Sequence, residues 1–350
     1  MTSDTHATAR NTGAGSPNGL GMRFSVDAWD PAYGSSLELE DDLGESTARV
    51  DVTVELPVAQ WRAVSPSADL PIPAALLFVD GVRRIEARVW IEENAPDGGP
   101  ATEASAALCA SYAAGVVCCC KRQAHLVLVE TRRGLFTVAP HAVDIVTWAG
   151  NYVANRTPAA SGTPLPMVLS QALQGRLTEI EVITAAASRA AMAGHGVPDG
   201  ADLLIVDGPL RGRQHLPRTL GYIKSHLTTY LPPDLNALVG SLKPGQRTPV
   251  FLMGTSWDRH SWYLRLPGAA GAPWAGVVRM ECSADLPVPE VIELAGLSQV
   301  CLGRFASTHY KDPRAPQNLY PISGLERELR RRLGDPRLLH RALRLSAALG

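Results

Sequence analysis

Two apolar runs, each followed directly by Asp-Gly, constrain the fold of this 350-residue chain most strongly. The first spans 74–79 and leads into Asp80-Gly81; the second spans 201–206 and leads into Asp207-Gly208. An apolar run without alternation predicts a strand that is covered on both faces, and therefore a central position in a sheet. If the two strands are neighbours, their aspartates converge at the strand ends, where open α/β sheets bind their ligands.

This pair of aspartates has two interpretations. Asp-Gly after a strand forms a favourable turn, which needs no further role. Two carboxylates side by side are also suited to hold Mg²⁺ or Mn²⁺, which prefer oxygen ligands and support phosphodiester hydrolysis near neutral pH. The spacing alone leaves both interpretations open.

The rest of the pattern predicts an α/β protein with a mixed sheet flanked by helices, since strands cluster early and later alternate with helices. Strands are predicted at 47–57, 74–79, 85–91, 107–120, 201–206, 249–253, 262–266 and 276–282, with a hairpin of 125–130 and 134–138 that turns at 132–134. Helices are predicted at 167–193, 219–230, 289–296 and 322–348.

The charge distribution is uneven although the net charge is only -1. Residues 1–70 carry four basic and eleven acidic residues, which leaves the remainder mildly basic. A basic body is compatible with a phosphate-bearing partner but does not require one. The acidic segment 38–45 is either a solvated leader or a docking segment for a partner.

The six cysteines predict core residues in a reducing compartment. Cys118, Cys119 and Cys120 are consecutive, so their side chains alternate between strand faces and form no C-x-x-C clip. The other three, Cys109, Cys282 and Cys301, show no ligand spacing. With no apolar signal core and no membrane-length apolar run, the sequence predicts a cytoplasmic protein that makes no contact with a membrane.

A third acid is available in the helix predicted at 167–193. Glu179 and Glu181 are two residues apart and therefore point to different helix faces, so only one of them can face the aspartates. Which of the two does so stays open, and the alternative is that both glutamates are solvated.

Several segments, in this order, resemble the NurA family of nucleases. These segments are 78–81, 204–210, 221–224 followed by 230–232, and 311–322, and together they place the resemblance over about residues 74–345. The resemblance implies a ribonuclease H-like fold, similar to the Piwi domain. The composition predicts a disordered leader at 1–22. A β-rich extension (23–73) then precedes the nuclease domain (74–350) that the resemblance implies.

The resemblance also implies functional residues. Asp80 and Asp207 match the two metal-ligating aspartates, and Glu181, or alternatively Glu179, matches the intervening glutamate. Tyr320 matches the tyrosine of the closing motif. Its polar partner falls near Glu328, where the family has a histidine or an acidic residue; Ser323-Gly324 also departs from the usual Pro-Leu.

Two basic residues are candidate contacts to DNA phosphates. Lys224, on the helix predicted at 219–230, can hold a phosphate as a point charge or remain a solvated lysine. Arg314 lies between prolines in a loop suited to a backbone phosphate contact. The run Arg330–Arg332 is interpreted as a solvated helix face or as a DNA track.

The activity implied is DNA hydrolysis that depends on Mn²⁺ or Mg²⁺, as a 5′-3′ exonuclease and single-strand endonuclease in end processing, repair or defence. The chain has no G-x-x-x-x-G-K-[ST] loop, so it should not hydrolyse ATP itself. The resemblance implies a HerA-type hexameric ATPase as partner, and a homodimer.

Two rival hypotheses remain. The first is a catalytically inactive scaffold that binds DNA or a partner protein. The absence of a histidine near Glu328, at the closing-motif position, favours it, and the presence of Asp80 and Asp207 opposes it. A phosphotransferase of the sugar-kinase type would need a Gly-rich hairpin after the first strand, and Val82-Arg83-Arg84 is a poor one.

Overall fold

The computed structural model describes residues 22–26, 48–93, 104–120, 123–194, 197–198, 200–224, 229–268, 274–308, 310–311 and 315–349. The leader predicted at 1–22 lies outside these residues except for Met22. The acidic segment 38–45 and Arg314 also lie outside them.

The strands within the described residues are β1 (Met22–Val26), β2 (Arg49–Asp51), β3 (Ala75–Glu93), β4 (Ser105–Cys120), β5 (Gln123–Thr137), β6 (Ile145–Thr147), β7 (Gly150–Arg156), β8 (Asp202–Asp207), β9 (Thr219–Ile223), β10 (Phe251–Gly254), β11 (Asp258–Arg265) and β12 (Val277–Ser283). The helices are α1 (Leu165–Gly194), α2 (Pro233–Ser241), α3 (Val288–Leu302), α4 (Tyr320–Arg332) and α5 (Pro336–Leu349). No helix among the described residues is both long and apolar enough to span a membrane.

The strands pair in the order β2-β10-β11-β12-β9-β8-β3-β4-β5-β7-β6, and β1 pairs with β3. β3, β4 and β5 form an antiparallel meander. After α1 the chain returns as β8, parallel to β3, and β9 runs parallel to β8. The predicted class, an α/β protein with a large mixed sheet flanked by helices, is confirmed. β1 and β2 of the predicted extension pair directly with β3 and β10 of this sheet.

The two apolar runs form adjacent central strands, as their composition predicts. β3 and β8 are parallel, with Val79 in register with Val206. The first run does not end at Asp80-Gly81, however, because β3 continues to Glu93 and includes the strand predicted at 85–91. A bulge between Ile85 and Ala87 separates the two halves of this long strand.

The prediction of a helix at 219–230 is wrong. Thr219–Ile223 instead forms β9, whose five residues are all buried between β8 and β12. A short apolar run has the same composition in a buried strand as in a buried helix, and here pairing with two neighbours decides the outcome.

Three further boundaries differ from the prediction. β5 passes straight through the hairpin turn predicted at 132–134. Of the strand predicted at 47–57, only Arg49–Asp51 pairs, with β10. The helix predicted at 322–348 is two helices, because Gly334 adopts a positive φ of 87° between α4 and α5.

Helices cover both faces of the central sheet. Leu173, Leu177 and Ile180 of α1 pack on one side, here called the α1 face. Leu294 of α3 and Leu325 of α4 pack on the other, here called the α4 face. Because successive residues of a strand point to opposite faces, each acid near the ends of these strands is assigned to one side.

Candidate functional site

Asp80 and Asp207 lie side by side on the α4 face. Each is one residue beyond the paired Val79 and Val206 of two neighbouring parallel strands, so their backbones are roughly 4.8 Å apart. Phe78 and Ile205, two residues earlier, both point into the core beneath α3 and α4, and the aspartates share their direction. Asp80 is 7% exposed.

The two Asp-Gly pairs differ in their backbone. Gly208 has φ 99° and exchanges two hydrogen bonds with Tyr222, from Gly208 N–H to the Tyr222 carbonyl (2.9 Å) and from Tyr222 N–H to the Gly208 carbonyl (3.1 Å). The positive φ favours glycine at this position, where the chain forms an antiparallel bridge with Tyr222 and not the predicted turn. Gly81 is instead inside β3, where a Cβ would collide with Oε1 of Glu181 and lie 2.7 Å from Cδ1 of Leu177. The absence of a side chain at Gly81 therefore leaves room for these two side chains of α1.

Asp80 is surrounded by charge that opposes its ionisation. Burial raises the pKa of Asp80 well above its ordinary value, and the negative charges of Asp207 and Glu326 raise it further. Lys224 and the Gly81 N–H, which donates to Asp80 Oδ1 over 2.7 Å, lower it. Asp80 Oδ2 is buried and accepts no hydrogen bond from any residue that the structure describes.

Lys224 supplies the positive charge beside the aspartates. It follows β9 directly, and its Nζ donates to Asp207 Oδ2 over 2.7 Å and to Asn318 Oδ1 over 3.2 Å. Asn318 is fully buried and precedes α4, so the loop before α4 helps to fix the lysine. The Lys224 side chain is therefore paired with Asp207. It is not a solvated residue on the surface of the helix that the sequence predicted.

Glu326 of α4 is the acid that sequence reasoning missed. β4 places Gly115 opposite Asp80, and a Cβ at Gly115 would lie only 3.1 Å from Leu325 Cδ1 and 3.0 Å from Leu329 Cδ2. This close packing brings α4 over the aspartates. Helical periodicity does not single out Glu326, because Glu326 and Glu328 are both half-buried beside the buried Leu325 and Leu329.

Glu328 is turned away from the aspartates. Its carboxylate accepts hydrogen bonds from Arg331 (2.8 and 2.9 Å) and Arg332 (2.7 Å), which lower its pKa to about 2. The charge that acts on Asp80 from α4 is that of Glu326, and not that of Glu328. Glu328 as the acid of the closing motif stays a prediction.

Glu181 is buried on the other side of β3. The direction of the missing Cβ of Gly81 places the Glu181 carboxylate on the α1 face, where it forms an ion pair with Arg213. Burial lowers the pKa of Arg213 to about 10, against the effects of Asp80 and Glu281. Glu179, the alternative, is exposed and pairs with Arg176. Of the two glutamates, Glu181 is the one near the site, but it does not share the aspartates' face.

Glu281 of β12 is a second buried acid on the α1 face, and nothing in the sequence marks it as buried. It is 0% exposed and accepts the Leu210 N–H over 2.6 Å. Arg279 and Arg259 bind it at 2.9 and 3.2 Å. Glu281 thereby anchors the segment that follows Asp207.

Tyr320 begins α4, and its hydroxyl is 2.9 Å from Thr308 Oγ1. The Lys311 ammonium lies 5.6 Å from the centre of its ring. These contacts tie Tyr320 to the preceding loop, with 37% of the residue exposed. For Arg314, the other predicted phosphate contact, no placement is described.

Asp80 and Asp207 form a pair of neighbouring carboxylates, and Glu326 lies near this pair without forming a closed cluster with it. Among the described residues, the group of His, Cys, Asp or Glu side chains with all ligand atoms within 4.8 Å of one another is Cys118, Cys120 and His125, at a different place in the sheet. The chemistry of the acidic donors still fits a hard cation. All three are carboxylates, and no described residue donates a hydrogen bond to the buried Asp80 Oδ2.

Comparison with known proteins identifies no family. No family model matches the chain, and no curated protein matches it. Among solved structures, the chain is similar to the NurA nuclease from Sulfolobus solfataricus, with a TM-score of 0.40 and 9% identity, over 78% of this chain and 84% of that one. A likeness at this level carries no argument about function.

Proposed function

We propose that this chain is a DNA nuclease that depends on a divalent cation, Mn²⁺ or Mg²⁺. The observation that carries the proposal is the buried Asp80 carboxylate, which has one oxygen without a hydrogen-bond donor and faces two further acids. Such an arrangement is unfavourable without a cation, because burial and like charges both oppose ionisation. Perturbed carboxylates at strand ends of an α/β sheet are characteristic of functional sites.

In this proposal Asp80 and Asp207 hold the cation, and Glu326 completes the set from α4. The bound ion would neutralise phosphate charge, lower the pKa of an attacking water and orient the leaving oxygen. Lys224 positions Asp207 through its ammonium and is placed to bind a phosphate oxygen as a point charge. Asn318 keeps that ammonium at the site through its amide oxygen.

The role proposed for Glu181 is indirect. Because Arg213 neutralises it on the α1 face, Glu181 holds the chain after Asp207 through Arg213, whose Nη1 donates to the Pro209 carbonyl over 2.7 Å. Glu181 can serve as a direct ligand only if Arg213 releases it, so we assign it a positioning role.

The basic C-terminal helices supply a surface for the DNA backbone. Arg330, Arg331 and Arg332 end α4, and residues 326–350 carry seven arginines against three acids. Sequence-independent binding to phosphates is the interaction that such a surface makes. The 5′-3′ polarity, the single-strand endonuclease activity, the HerA-type ATPase and the homodimer belong to the same proposal and rest on the sequence resemblance.

Cleavage of labelled single-stranded and duplex DNA in Mn²⁺, Mg²⁺ or EDTA tests the proposal. We expect Asp80→Asn and Asp207→Asn each to lower the cleavage rate by about 10³-fold, roughly 4 kcal/mol of transition-state stabilisation. Glu326→Gln should lower it by a smaller factor. Glu328→Gln, two residues away on α4, is the matched control and should retain the wild-type rate. Unchanged cleavage by both aspartate variants would refute the proposal.

An inactive scaffold is the second candidate, favoured by one observation. Lys224 already neutralises Asp207, which is also what a structural ion pair would show. A scaffold of this kind binds DNA without cleaving it and gains no thermal stability from Mn²⁺. Wild-type protein that binds DNA but shows neither cleavage nor Mn²⁺-linked stabilisation would favour the scaffold.

A further inference from the structure

A second group of potential metal ligands lies where β4 and β5 meet. Cys118 and Cys120 are two residues apart on β4, and both pack with the core beneath α1. His125 of β5 is in direct register with Cys118. The ligand atoms of all three residues lie within 4.8 Å of one another.

The spacing of these atoms matches a tetrahedral metal site. Cys120 Sγ lies 3.9 Å from His125 Nδ1. Zinc bonds of about 2.3 Å to sulfur and about 2.05 Å to nitrogen, at the tetrahedral angle, require roughly 3.6 Å between the two ligand atoms. A shift of a few tenths of an ångström would therefore complete the geometry.

The strand geometry explains why the sequence pattern pointed away from a metal. The side chains of consecutive cysteines do point to alternate faces of the strand. Cys119 therefore packs on the α4 face with Leu76 and Phe78. The same alternation returns Cys120 to the face of Cys118, and the pairing with β5 adds a histidine that no spacing within β4 reveals.

A disulfide between Cys118 and Cys120 fits this geometry less well. Two residues along an extended strand span about 6.6 Å between Cα atoms, which is close to the upper limit for a disulfide. Both thiols are free in the structure. Binding of a metal ion does not require Cys118 and Cys120 to come closer together. The observed positions of the two thiols therefore favour metal ligation over a disulfide.

We propose that Cys118, Cys120 and His125 form a site for a soft divalent cation of the zinc type. The burial of the three ligands is graded, since Cys118 is buried, Cys120 is half-buried and His125 is exposed. A fourth coordination position therefore opens toward the solvent on the histidine side, where water or an external ligand can bind.

This site is separate from the acidic pair. Cys118 is opposite Leu77, three residues before Asp80, and its side chain packs on the α1 face whereas Asp80 points to the α4 face. Its ligands are sulfur and nitrogen, which select zinc over Mg²⁺ or Mn²⁺. The proposal therefore does not depend on nuclease activity.

The test uses the full-length chain, stripped of metal under reducing conditions and titrated with Co²⁺ and then Zn²⁺. We expect one equivalent of Co²⁺ to give a thiolate charge-transfer band and tetrahedral visible bands, which Zn²⁺ then abolishes. Cys120→Ala and His125→Ala should each weaken Zn²⁺ binding at least about tenfold, since even loss of an outer-shell partner costs that much. Cys119→Ala, half-buried on the opposite face, is the matched control and should bind as wild type does.

Cys120→Ala and His125→Ala replace side chains that are not fully buried, so both proteins should fold, and circular dichroism checks this. Absence of the thiolate band in the wild type would overturn the proposal. Zn²⁺ affinity that is the same in wild type, Cys120→Ala and His125→Ala would also overturn it. So would a Cys118–Cys120 disulfide, detected by mass, in protein purified without reductant.

Discussion

The two faces of the sheet hold their buried acids in opposite ways. On the α1 face, Glu181 pairs with Arg213, and Glu281 pairs with Arg279 and Arg259. On the α4 face, Asp80 has Asp207 and Glu326 as neighbours, with Lys224 as the cation next to Asp207. The first arrangement matches each buried acid with arginine, whereas the second leaves like charges together, which in our proposal a bound cation compensates.

This difference separates a structural network from a site. An acid that is fully matched by arginines is a structural element, and its removal leaves a buried cation uncompensated. An acid that is held among other acids retains unfavourable electrostatic energy, and functional sites commonly keep such strain at the expense of stability. Neutralising an acid should therefore have opposite effects on the two faces.

The largest effect is expected on the α1 face. Glu281→Gln removes the charge that two buried arginines share and should lower the free energy of unfolding by about 3–5 kcal/mol. Urea denaturation followed by circular dichroism measures this change. Glu179→Gln, which breaks an exposed ion pair on α1, is the control and should change stability by less than about 1 kcal/mol. If Glu281→Gln and Glu179→Gln lowered the free energy of unfolding by the same amount, the buried acid would be no more important to the fold than the exposed one. The contrast between the two faces would then fail.

Neutralisation on the α4 face should stabilise the protein. Asp80→Asn retains an oxygen for the Gly81 N–H but removes the repulsion from Asp207 and Glu326, so we expect a gain of about 0.5–2 kcal/mol at pH 7 without metal.

The pH dependence of this gain follows from the raised pKa of Asp80. The unfolded chain ionises near the ordinary value of 3.8, whereas folded Asp80 retains its proton to higher pH. Stability from protonated Asp80 is full below that value and is lost as the pH rises toward the folded pKa. The advantage of Asp80→Asn should therefore grow as the pH rises above about 4. Unfolding free energies measured across this range would contradict the account if the variant were the less stable protein at neutral pH.

A smaller effect, on Mn²⁺ affinity, is expected from replacing Lys224. Lys224→Gln removes the ammonium that competes with a divalent ion for Asp207, so Mn²⁺ affinity should rise about fivefold, roughly 1 kcal/mol. Cleavage at saturating Mn²⁺ should fall, because the phosphate loses its positive contact. Calorimetric titration and cleavage rates measure the two effects separately. A variant that loses both Mn²⁺ affinity and activity would assign the lysine a structural role.

The sequence carried the information for the central strands and the long helix. Apolar runs of strand length, and a proline-free, alanine-rich stretch at 167–193, predict β3, β8 and α1 without tertiary information. Thr219–Ile223 could not be assigned in this way, because its strand state depends on pairing with β8 and β12.

The site was predictable to different depths. Asp80 and Asp207 follow from the ends of the apolar runs, whereas the position of Glu326 near Asp80 depends on how α4 packs on β4. In contrast, the pairings of Glu181 with Arg213 and of Cys118 with His125 depend on how distant elements pack and on strand register. Neither is encoded in local spacing.

Mn²⁺-linked stability tests the central claim most directly, because it requires no knowledge of the substrate. We expect wild-type protein to gain stability as Mn²⁺ rises, by about 2.7 kcal/mol at a hundredfold excess over its Kd. Glu179→Gln, at an exposed position on α1, should show the same gain, while Asp80→Asn should start from a higher stability and show none. A gain in Asp80→Asn equal to that of the wild type, or no gain in the wild type, would contradict the assignment of a cation site to Asp80 and Asp207.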